Sequence, residues 1–198
     1  MARRPGVTRE RVVETAATII DRDGLPALSL TSLAQTLGVR TPSLYNHIGG
    51  LEDLRGALRL RGLEALEQRL QRATVGRARR DALVALAEAY RAFAHEHPGL
   101  YALTLGAVGD VPDGARDAHA AAAAARRLVE VVVSVLQGYA LEGDEALHAT
   151  RALRSSLHGF VALESAGGFG LPLDLDVSFA RLVTMHHAAL AEAAPEHG

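Results

Sequence analysis

The chain has 198 residues; 48% of them are hydrophobic, only 4% are aromatic, and none is cysteine. This length suits one large domain or two small ones, and a core of leucine, valine, isoleucine and alanine favours packed helices over a β-sandwich. The lack of cysteine excludes a disulfide framework and a thiolate metal site. No apolar run approaches the ~18 residues of a membrane span and the first residues lack an apolar signal stretch, so we expect a cytoplasmic protein.

The formal net charge of -2 hides a difference between the two parts of the chain. Residues 1–62 contain nine arginines and six acidic residues, whereas residues 63–198 contain twelve arginines and seventeen acidic residues. A basic first part and an acidic remainder suggest two functions. We therefore predict two domains, 1–62 and 63–198.

An apolar stripe from Val13 to Ile20 has the spacing of one helical face, which predicts a helix over about 8–23. Thr8 is the expected N-cap of this helix, and Gly24 is its expected end. The segment LPALS that follows is expected to be a linker.

The next two helices form a predicted helix-turn-helix. Ser29 begins the first of them, and Gly38 supplies the flexible residue of the turn. The second is short, about 42–47. Thr41 is its expected cap, and Pro42 its expected first residue, where a missing N–H costs nothing.

The rest of the chain also has helical patterns, and neither a strand pattern nor an internal repeat is visible. Six consecutive alanines at 120–125 favour a closely packed helix because alanine is the best helix former. Asp144 is an expected N-cap. The predicted fold class is all-α with about nine helices, an N-terminal helix-turn-helix domain and a C-terminal helical domain. Beyond the helix-turn-helix, the predicted helices cover about 51–72, 79–96, 99–107, 115–140, 144–166 and 174–193.

Polar side chains are concentrated in the short third helix. Leu44 and Ile48 are expected to face the core, which leaves the other side chains pointing outwards. A helix that exposes polar side chains near its N-terminal end fits the major groove of B-DNA, where Arg40 can donate two hydrogen bonds to guanine. Tyr45 and His47 can reach phosphates, as can the start of the second helix. The predicted DNA-binding residues are Thr31, Ser32, Arg40, Thr41, Pro42, Ser43, Tyr45, Asn46 and His47.

Several of these basic and aromatic residues also have a purely structural interpretation. Tyr45 can be a core aromatic, and Arg40 can simply solvate a turn. Arg3, Arg4 and Arg9 precede the apolar stripe of the first helix, where an arm can reach the DNA backbone or minor groove. Arg3 and Arg4 can instead be a tail without fixed contacts.

The stretch from Val7 to about Arg61 resembles the DNA-binding domain of the TetR family of bacterial transcriptional repressors. The first-helix stripe with Gly24, then LTSLAQTLGVRTPSLYNHI, then the LEDL that opens the fourth helix carry this resemblance. Further on, RSSLHGFVALESAGGFGLP resembles a C-terminal domain type marked by a Trp-His-Gly triplet, which is Leu157-His158-Gly159 in this chain. Leu51 stands where family members usually carry a lysine that contacts a phosphate.

The resemblance implies a homodimer that binds a palindromic operator in double-stranded DNA and releases it when a small-molecule effector binds. We expect the dimer to form through the last two long helices, about 144–166 and 174–193, where small residues such as Ala152 and Gly159 permit close approach. Such a dimer spaces two recognition helices ~34 Å apart, one turn of DNA. An apolar effector with one or two polar groups is expected to contact Tyr90, Phe93, His97, Tyr101, Leu105, His158 and Phe160.

No pattern for catalysis or for a cofactor stands out, so we predict a protein that is not an enzyme and has no cofactor, metal or membrane partner. Glu145 and His148 have the i, i+3 spacing of half a di-iron site, but the sequence offers no second pair. Two alternatives remain open. The chain can be a helical small-molecule binding protein or bundle enzyme without DNA binding, and a DNA-binding protein can activate rather than repress.

Overall fold

A computed structural model describes residues 7–106 and 116–192 of the chain. Within these ranges it has nine α-helices, one 3-10 turn and no strand, which confirms the predicted all-α class. None of the described helices is both long enough and apolar enough to cross a membrane. The helices are α1 Arg9–Asp23, α2 Leu30–Leu37, α3 Thr41–Leu44, α4 Leu51–Thr74, α5 Arg79–Glu96, α6 Pro98–Thr104, α7 Ala118–Gln137, α8 Gly143–Ser165 and α9 Leu175–Glu192.

Capping interactions set the starts of α1 and α2, as predicted. Thr8 Oγ1 accepts a hydrogen bond from the Arg11 N–H at 3.3 Å. Ser29 accepts from the Ser32 N–H at 3.0 Å, and the Ser32 hydroxyl accepts from the Ser29 N–H at 3.1 Å. This reciprocal pair satisfies two N–H groups that the start of a helix leaves unpaired. Between the helices, the expected linker contains a 3-10 turn, Leu25–Ala27, whose proline fits a position that needs no N–H.

Gly38 ends α2 and makes the turn of the helix-turn-helix. Its φ of 69° and ψ of 33° are left-handed, a conformation that glycine adopts without the steric cost other residues meet. The Gly38 N–H bonds to the Gln35 carbonyl at 3.1 Å, and the Val39 N–H bonds to the Ala34 carbonyl at 3.0 Å. This double closure is a Schellman motif, so two carbonyls at the end of α2 are paired as the chain turns towards α3.

The prediction for the start of α3 was wrong by one residue. Its N-cap is Arg40 rather than Thr41, because the Arg40 carbonyl accepts the first hydrogen bond of the turn, from the Ser43 N–H at 2.9 Å. Pro42 is consequently the second helical residue and not the first. Its lack of an N–H still costs nothing, since the first N–H groups of a helix have no partner inside it.

The prediction for the end of α3 was also wrong. The α-helical part ends at Leu44 instead of reaching residue 47. The Leu44 carbonyl accepts from the His47 N–H at 2.9 Å and from the Ile48 N–H at 3.0 Å. This sharing is typical of a helix end that tightens into a turn, so the predicted helix over 42–47 is a short helix followed by a turn.

Packing divides the described residues into two compact units, and neither is continuous in sequence. The first unit consists of residues up to Ala65 together with Glu96–Ala125. In it, α1 packs against α2 and α6. The contact with α6 is so close at Gly99 that a Cβ atom added there would lie 2.7 Å from Ile20 Cγ1. The functional division into 1–62 and 63–198 remains a prediction.

The second unit consists of Leu66–His95 and the described residues from Arg126 onwards. In it α8 and α9 pack against each other, and Arg91 joins α5 to both of them. The Arg91 guanidinium forms an ion pair with Glu164 of α8 and a second one, at 2.7 Å, with Asp176 of α9. One charged side chain thus connects three helices of this unit.

Three phenylalanine rings lie beside this charged cluster. The guanidinium carbon of Arg91 is 4.8 Å from the Phe179 ring centroid and 5.6 Å from that of Phe160. The Phe160 ring also contacts Phe169 and Phe179, at centroid distances of 4.9 and 5.1 Å. Cation–π contacts of this kind add attraction where the cation is partly shielded from water.

The C-terminal helices lie where they were predicted, with differences at their ends. The N-cap of α8 is Glu142 and not Asp144, because the Glu142 carbonyl accepts from the Ala146 N–H at 3.4 Å. Asp144 instead lies in the first turn, where a carboxylate favours the positive end of the helix dipole. Most of the predicted loop Gly106–Gly114 and the predicted last residue of the final helix, 193, lie outside the described residues.

Candidate nucleic-acid interface

The segment from Arg40 to His47, called the recognition segment below, is anchored on one side and open on the other. Leu44 and Ile48 are buried, with 0% and 2% of their surface exposed, as predicted. Tyr45, by contrast, is 59% exposed, which excludes the alternative that it is a core aromatic. Two apolar anchors therefore hold the segment while its polar side chains remain near solvent.

The other predicted contact residues of the recognition segment form an exposed set and a half-buried set. The backbone of Arg40 is extended, with φ of -84° and ψ of 143°, so its side chain leaves the chain just before α3 begins. A long side chain at such a position can swing without disturbing the helix. Arg40, Pro42 and Asn46 are exposed, and Thr41, Ser43 and His47 are half-buried.

At the start of α2, Thr31 and Ser32 differ in what their hydroxyl groups do. Thr31 is exposed. The Ser32 hydroxyl takes part in the capping box and also donates to the Ala27 carbonyl at 3.1 Å. Ser32 therefore has a structural role in starting α2, and its contact with DNA remains a prediction.

Arg9 is the residue of this region that sequence reasoning placed wrongly. It is the first residue of α1 and not part of an arm, while Arg3 and Arg4 lie outside the described residues. The Arg9 guanidinium donates to Asp53 Oδ2 at 2.7 Å and to Asp117 Oδ2 at 2.6 Å. It is thus bound to two carboxylates within the first unit.

The same guanidinium reaches the end of the recognition segment. Its Nη1 donates to the backbone carbonyl of His47 at 3.2 Å, and Asp53 also accepts from the Gly49 N–H at 2.9 Å. The Arg9 guanidinium lowers the pKa of Asp53, and the carboxylates of Asp53 and Asp117 raise the pKa of Arg9. All three charged side chains are about four-fifths buried, with 18–20% of their surface exposed. The end of the recognition segment is therefore tied to a shielded charge cluster.

The first turn of α4 follows the recognition segment and offers DNA little positive charge. It begins at Leu51, and the acidic residues Glu52 and Asp53 follow. Glu52 pairs with Arg55 at 2.8 Å on the surface. A phosphate near this turn would meet backbone N–H groups rather than a lysine, so we expect modest affinity for DNA of unrelated sequence.

Comparison with known proteins identifies the family. Residues 83–186 match the family described as "Tetracyclin repressor-like, C-terminal domain". The chain is also 41% identical, over 198 residues, to the uncharacterized HTH-type transcriptional regulator Rv0681 of Mycobacterium tuberculosis. This alignment covers 100% of the chain and 88% of the relative. The chain belongs to the TetR family of transcriptional regulators.

Solved structures of TetR-family proteins share the fold. The regulator SCO7222 of Streptomyces coelicolor has a TM-score of 0.73 and 20% identity, covering 96% of this chain and 100% of its own. ActR of the same organism, solved in complex with (S)-DNPA, has a TM-score of 0.65 and 22% identity, covering 96% and 100%. The family of this chain and its sequence relatives, which are HTH-type transcriptional regulators, identify it as a DNA-binding transcriptional regulator and not an enzyme.

The predicted effector residues of this TetR-family chain fall in both compact units. His97 has a structural partner, since its Nδ1 lies 2.8 Å from Asp21 Oδ2. Phe160 is in the aromatic cluster beside Arg91. Neither unit alone gathers all seven residues, so the effector site remains a prediction. Tyr90, Phe93, His158 and Phe160 are in the second unit, and His97, Tyr101 and Leu105 are in the first.

A groove in the second unit was missed by sequence reasoning. It has a volume of about 410 Å³, and the end of α4 and part of α7 line it. Two of its lining residues, Glu67 and Arg127, form an ion pair at 3.0 Å. Glu67, Gln71 and Val75 are four residues apart, which places them on one face of a helix. This spacing is the sequence signal that could have indicated one wall of the groove. The full lining is Glu67, Gln71, Thr74, Val75, Arg127, Glu130, Val131 and Ser134.

The described residues do not form a group of three or more histidine, aspartate or glutamate side chains that could hold a metal ion. Glu145 and His148 both lie exposed on α8. Of the adjacent histidines near the end of α9, His187 is engaged with a tyrosine, its Nδ1 lying 2.8 Å from the Tyr139 hydroxyl.

Proposed function

We propose that this protein is a homodimeric repressor that binds a palindromic operator and leaves it when a small apolar effector binds. The observation that carries the proposal is the recognition segment, where Leu44 and Ile48 are buried and Tyr45 is exposed beside a helix-turn-helix. A helical bundle that only binds a small molecule would gain nothing from exposing the hydrogen-bonding side chains of the recognition segment. The proposal assigns DNA binding to 1–62, and effector binding and dimerisation to 63–198, in the cytoplasm.

In this proposal the recognition segment lies in the major groove. Arg40 donates two hydrogen bonds to guanine O6 and N7, and Pro42 contacts a thymine methyl group. Tyr45 and His47 reach phosphate oxygens with the polar tips of their rings. These contacts divide into base readout, which gives specificity, and phosphate contacts, which give position. The remaining proposed contacts are those of Thr31, Ser32, Thr41, Ser43 and Asn46.

The proposed dimer forms through α8 and α9. Large apolar side chains on these helices are open to solvent: Leu163 is 51% exposed, Val177 is 52% exposed and Met185 is 69% exposed. A second copy would remove this surface from water, which contributes ~25 cal/mol per Å² of apolar area. Ala152 and Gly159 on α8 permit close approach. TetR-family regulators form dimers, and the two-fold symmetry of a dimer matches a palindromic operator.

The C-terminal domain is proposed to be of the Trp-His-Gly type, with Leu157 in place of the tryptophan. The family match over 83–186 includes this position, and Leu157 is buried, as a large apolar residue replacing tryptophan should be. The likeness to ActR, which was solved with the small molecule (S)-DNPA, supports a small-molecule effector. Bound effector would favour an arrangement in which the two recognition segments no longer match the groove.

Selection of bound sequences from random DNA, with purified full-length protein at a stated salt concentration, tests the proposal. We expect a palindrome whose half-sites are one turn of DNA, ~34 Å, apart. Analytical ultracentrifugation of the complex should show one protein dimer bound to each duplex. A single unrepeated half-site would contradict the dimer. No enrichment, with protein stripped of ligand by refolding and shown to be folded, would contradict sequence-specific binding.

Arg40→Ala is expected to weaken binding to the selected operator by about 1–3 kcal/mol and to relax the preference at one base pair in each half-site. The reason is the loss of a bidentate contact to guanine. Fluorescence anisotropy with operator variants at that position measures both effects. Arg61→Ala, at another exposed arginine of the first unit, is the control and should leave the preference unchanged. An equal loss on every sequence would instead make Arg40 a phosphate contact.

A further inference from the structure

We propose that Arg9 is a positioning residue for the recognition segment, and that Asp117, immediately before α7, sets the orientation in which Arg9 does this. The inference rests on the operator binding proposed above. It starts from one guanidinium that binds three parts of the chain separated by 38, 44 and 108 residues: the His47 carbonyl, Asp53 of α4 and Asp117.

The recognition segment needs an external support at its C-terminal end. The α-helical part of α3 is only four residues long, and so short a helix has little stability of its own. Leu44 and Ile48 fix the inner side by packing. The Arg9 Nη1, at 3.2 Å from the His47 carbonyl, fixes the end where the α-helix has already stopped. Apolar packing leaves sliding and rotation possible, whereas a directed hydrogen bond restricts them.

The distances around the guanidinium show how Asp117 contributes. Left alone with Asp53, an arginine favours two parallel hydrogen bonds to the same carboxylate. Here Nη1 lies 2.7 Å from Asp53 Oδ2, but Nη2 lies 3.4 Å from Asp53 Oδ1 and 2.6 Å from Asp117 Oδ2. Nη2 therefore bonds more closely to Asp117 than to Asp53. Nη1 in turn donates to both Asp53 and the His47 carbonyl, so Asp117 and the His47 carbonyl are bound by the two terminal nitrogens of one rigid guanidinium group.

This arrangement makes the recognition segment sensitive to the start of α7. Asp117 precedes the first residue of α7. A displacement of the start of α7 would therefore change the hydrogen bond between Asp117 and the Arg9 guanidinium. The side chains of Arg9, Asp53 and Asp117 are mostly buried, so water and salt screen their attraction less than that of a surface pair. The position of α7 is therefore transmitted to the His47 carbonyl through one side chain.

Asp117→Asn tests the proposal because it removes the charge and keeps the size of the side chain. Affinity for the selected operator is measured at a low temperature at which circular dichroism has first been used to check that each variant is folded. We expect Asp117→Asn and Arg9→Gln each to bind about tenfold more weakly than the unmodified protein. The double variant should bind no more weakly than Arg9→Gln alone, because both changes act through the same contact.

Asp23→Asn is the matched control, since Asp23 also pairs with an arginine of α1 in the first unit but on the open surface. It should leave the affinity within about twofold of the unmodified protein. Unchanged or tighter binding by Asp117→Asn would overturn the proposal, as would losses that multiply in the double variant. A failure of operator binding itself would be distinct, because the unmodified protein would then select no sequence.

Discussion

Gly99→Ala is expected to destabilise the protein by at least ~3 kcal/mol and to lower its thermal midpoint by roughly 10 °C. A Cβ atom at this position would lie 2.7 Å from Ile20 Cγ1 and closer still to the carbonyl carbon and oxygen of Ile20. A side-chain end can rotate away, but the backbone of α1 cannot move without displacing its buried face. Because α1 packs against α2 as well as α6, we also expect weaker operator binding at temperatures where the unmodified protein is folded.

Chemical denaturation followed by circular dichroism measures this change, and Gly56→Ala is its control. Gly56 lies inside α4 in the same unit, and a Cβ atom there meets nothing within 4 Å. Replacing a helical glycine with alanine should be neutral or stabilising by up to ~1 kcal/mol. If Gly99→Ala were as stable as the unmodified protein, the close packing of α6 on α1 would be wrong.

Arg91→Gln is expected to destabilise the protein by about 3 kcal/mol at pH 7. It removes the partner of Glu164, a carboxylate of which only 11% is exposed, and leaves that charge in a poorly solvated place. It also removes the cation from beside the rings of Phe160 and Phe179. Urea denaturation of the full-length protein measures the loss. The double variant Arg91→Gln, Glu164→Gln should recover much of it, because no buried charge then lacks a partner.

The stability that Arg91 contributes to the folded protein should decrease as the pH is lowered. Its guanidinium lowers the pKa of Glu164, with His95 as a lesser contributor. A lowered pKa in the folded state contributes stability above the ordinary glutamate pKa of about 4.3, and this stability is lost as the pH falls through the lowered value. The stability difference between Arg91→Gln and the unmodified protein should therefore be close to its full size at pH 6 and shrink as the pH falls below about 4. A difference that stayed constant would contradict this origin.

Arg22→Gln is the control for Arg91→Gln. Arg22 also pairs with a carboxylate, that of Asp23, but its side chain is 71% exposed and that of Asp23 is 39% exposed. Solvent already satisfies both charges, so no measurable change in urea denaturation is expected at pH 7.

Features of the fold that depend on neighbouring residues could be predicted from the sequence. The caps at Thr8 and Ser29 and the turn at Gly38 involve groups at most five residues apart, and the structure confirms them. The buried positions Leu44 and Ile48 follow from helical spacing. Local rules failed where two of them competed. Proline fits either of the first two helical positions, so the sequence did not distinguish Arg40 from Thr41 as the N-cap.

Features that depend on distant partners could not be predicted in this way. Arg9 looked like part of an arm because its partners Asp53 and Asp117 lie 44 and 108 residues further along the chain. Membership of the two compact units also depends on tertiary packing, since Glu96–Ala125 joins the N-terminal residues. For this reason the predicted effector residues, chosen by type and helical position, fall on both sides of a division that the sequence does not mark.

The contrast between Tyr45 and the other tyrosines has a practical consequence. The chain has four tyrosines, no tryptophan and no cysteine, and Tyr90, Tyr101 and Tyr139 are each at most 7% exposed. Tyr45 alone combines a phenol ring with an open position. Reagents that iodinate or nitrate phenols should therefore modify the recognition segment first. Because the chain has no tryptophan, tyrosine fluorescence is not masked, and the part of it that a water-soluble quencher reaches should come mainly from Tyr45. Protection of that part from the quencher would follow occupancy of this surface without an engineered label.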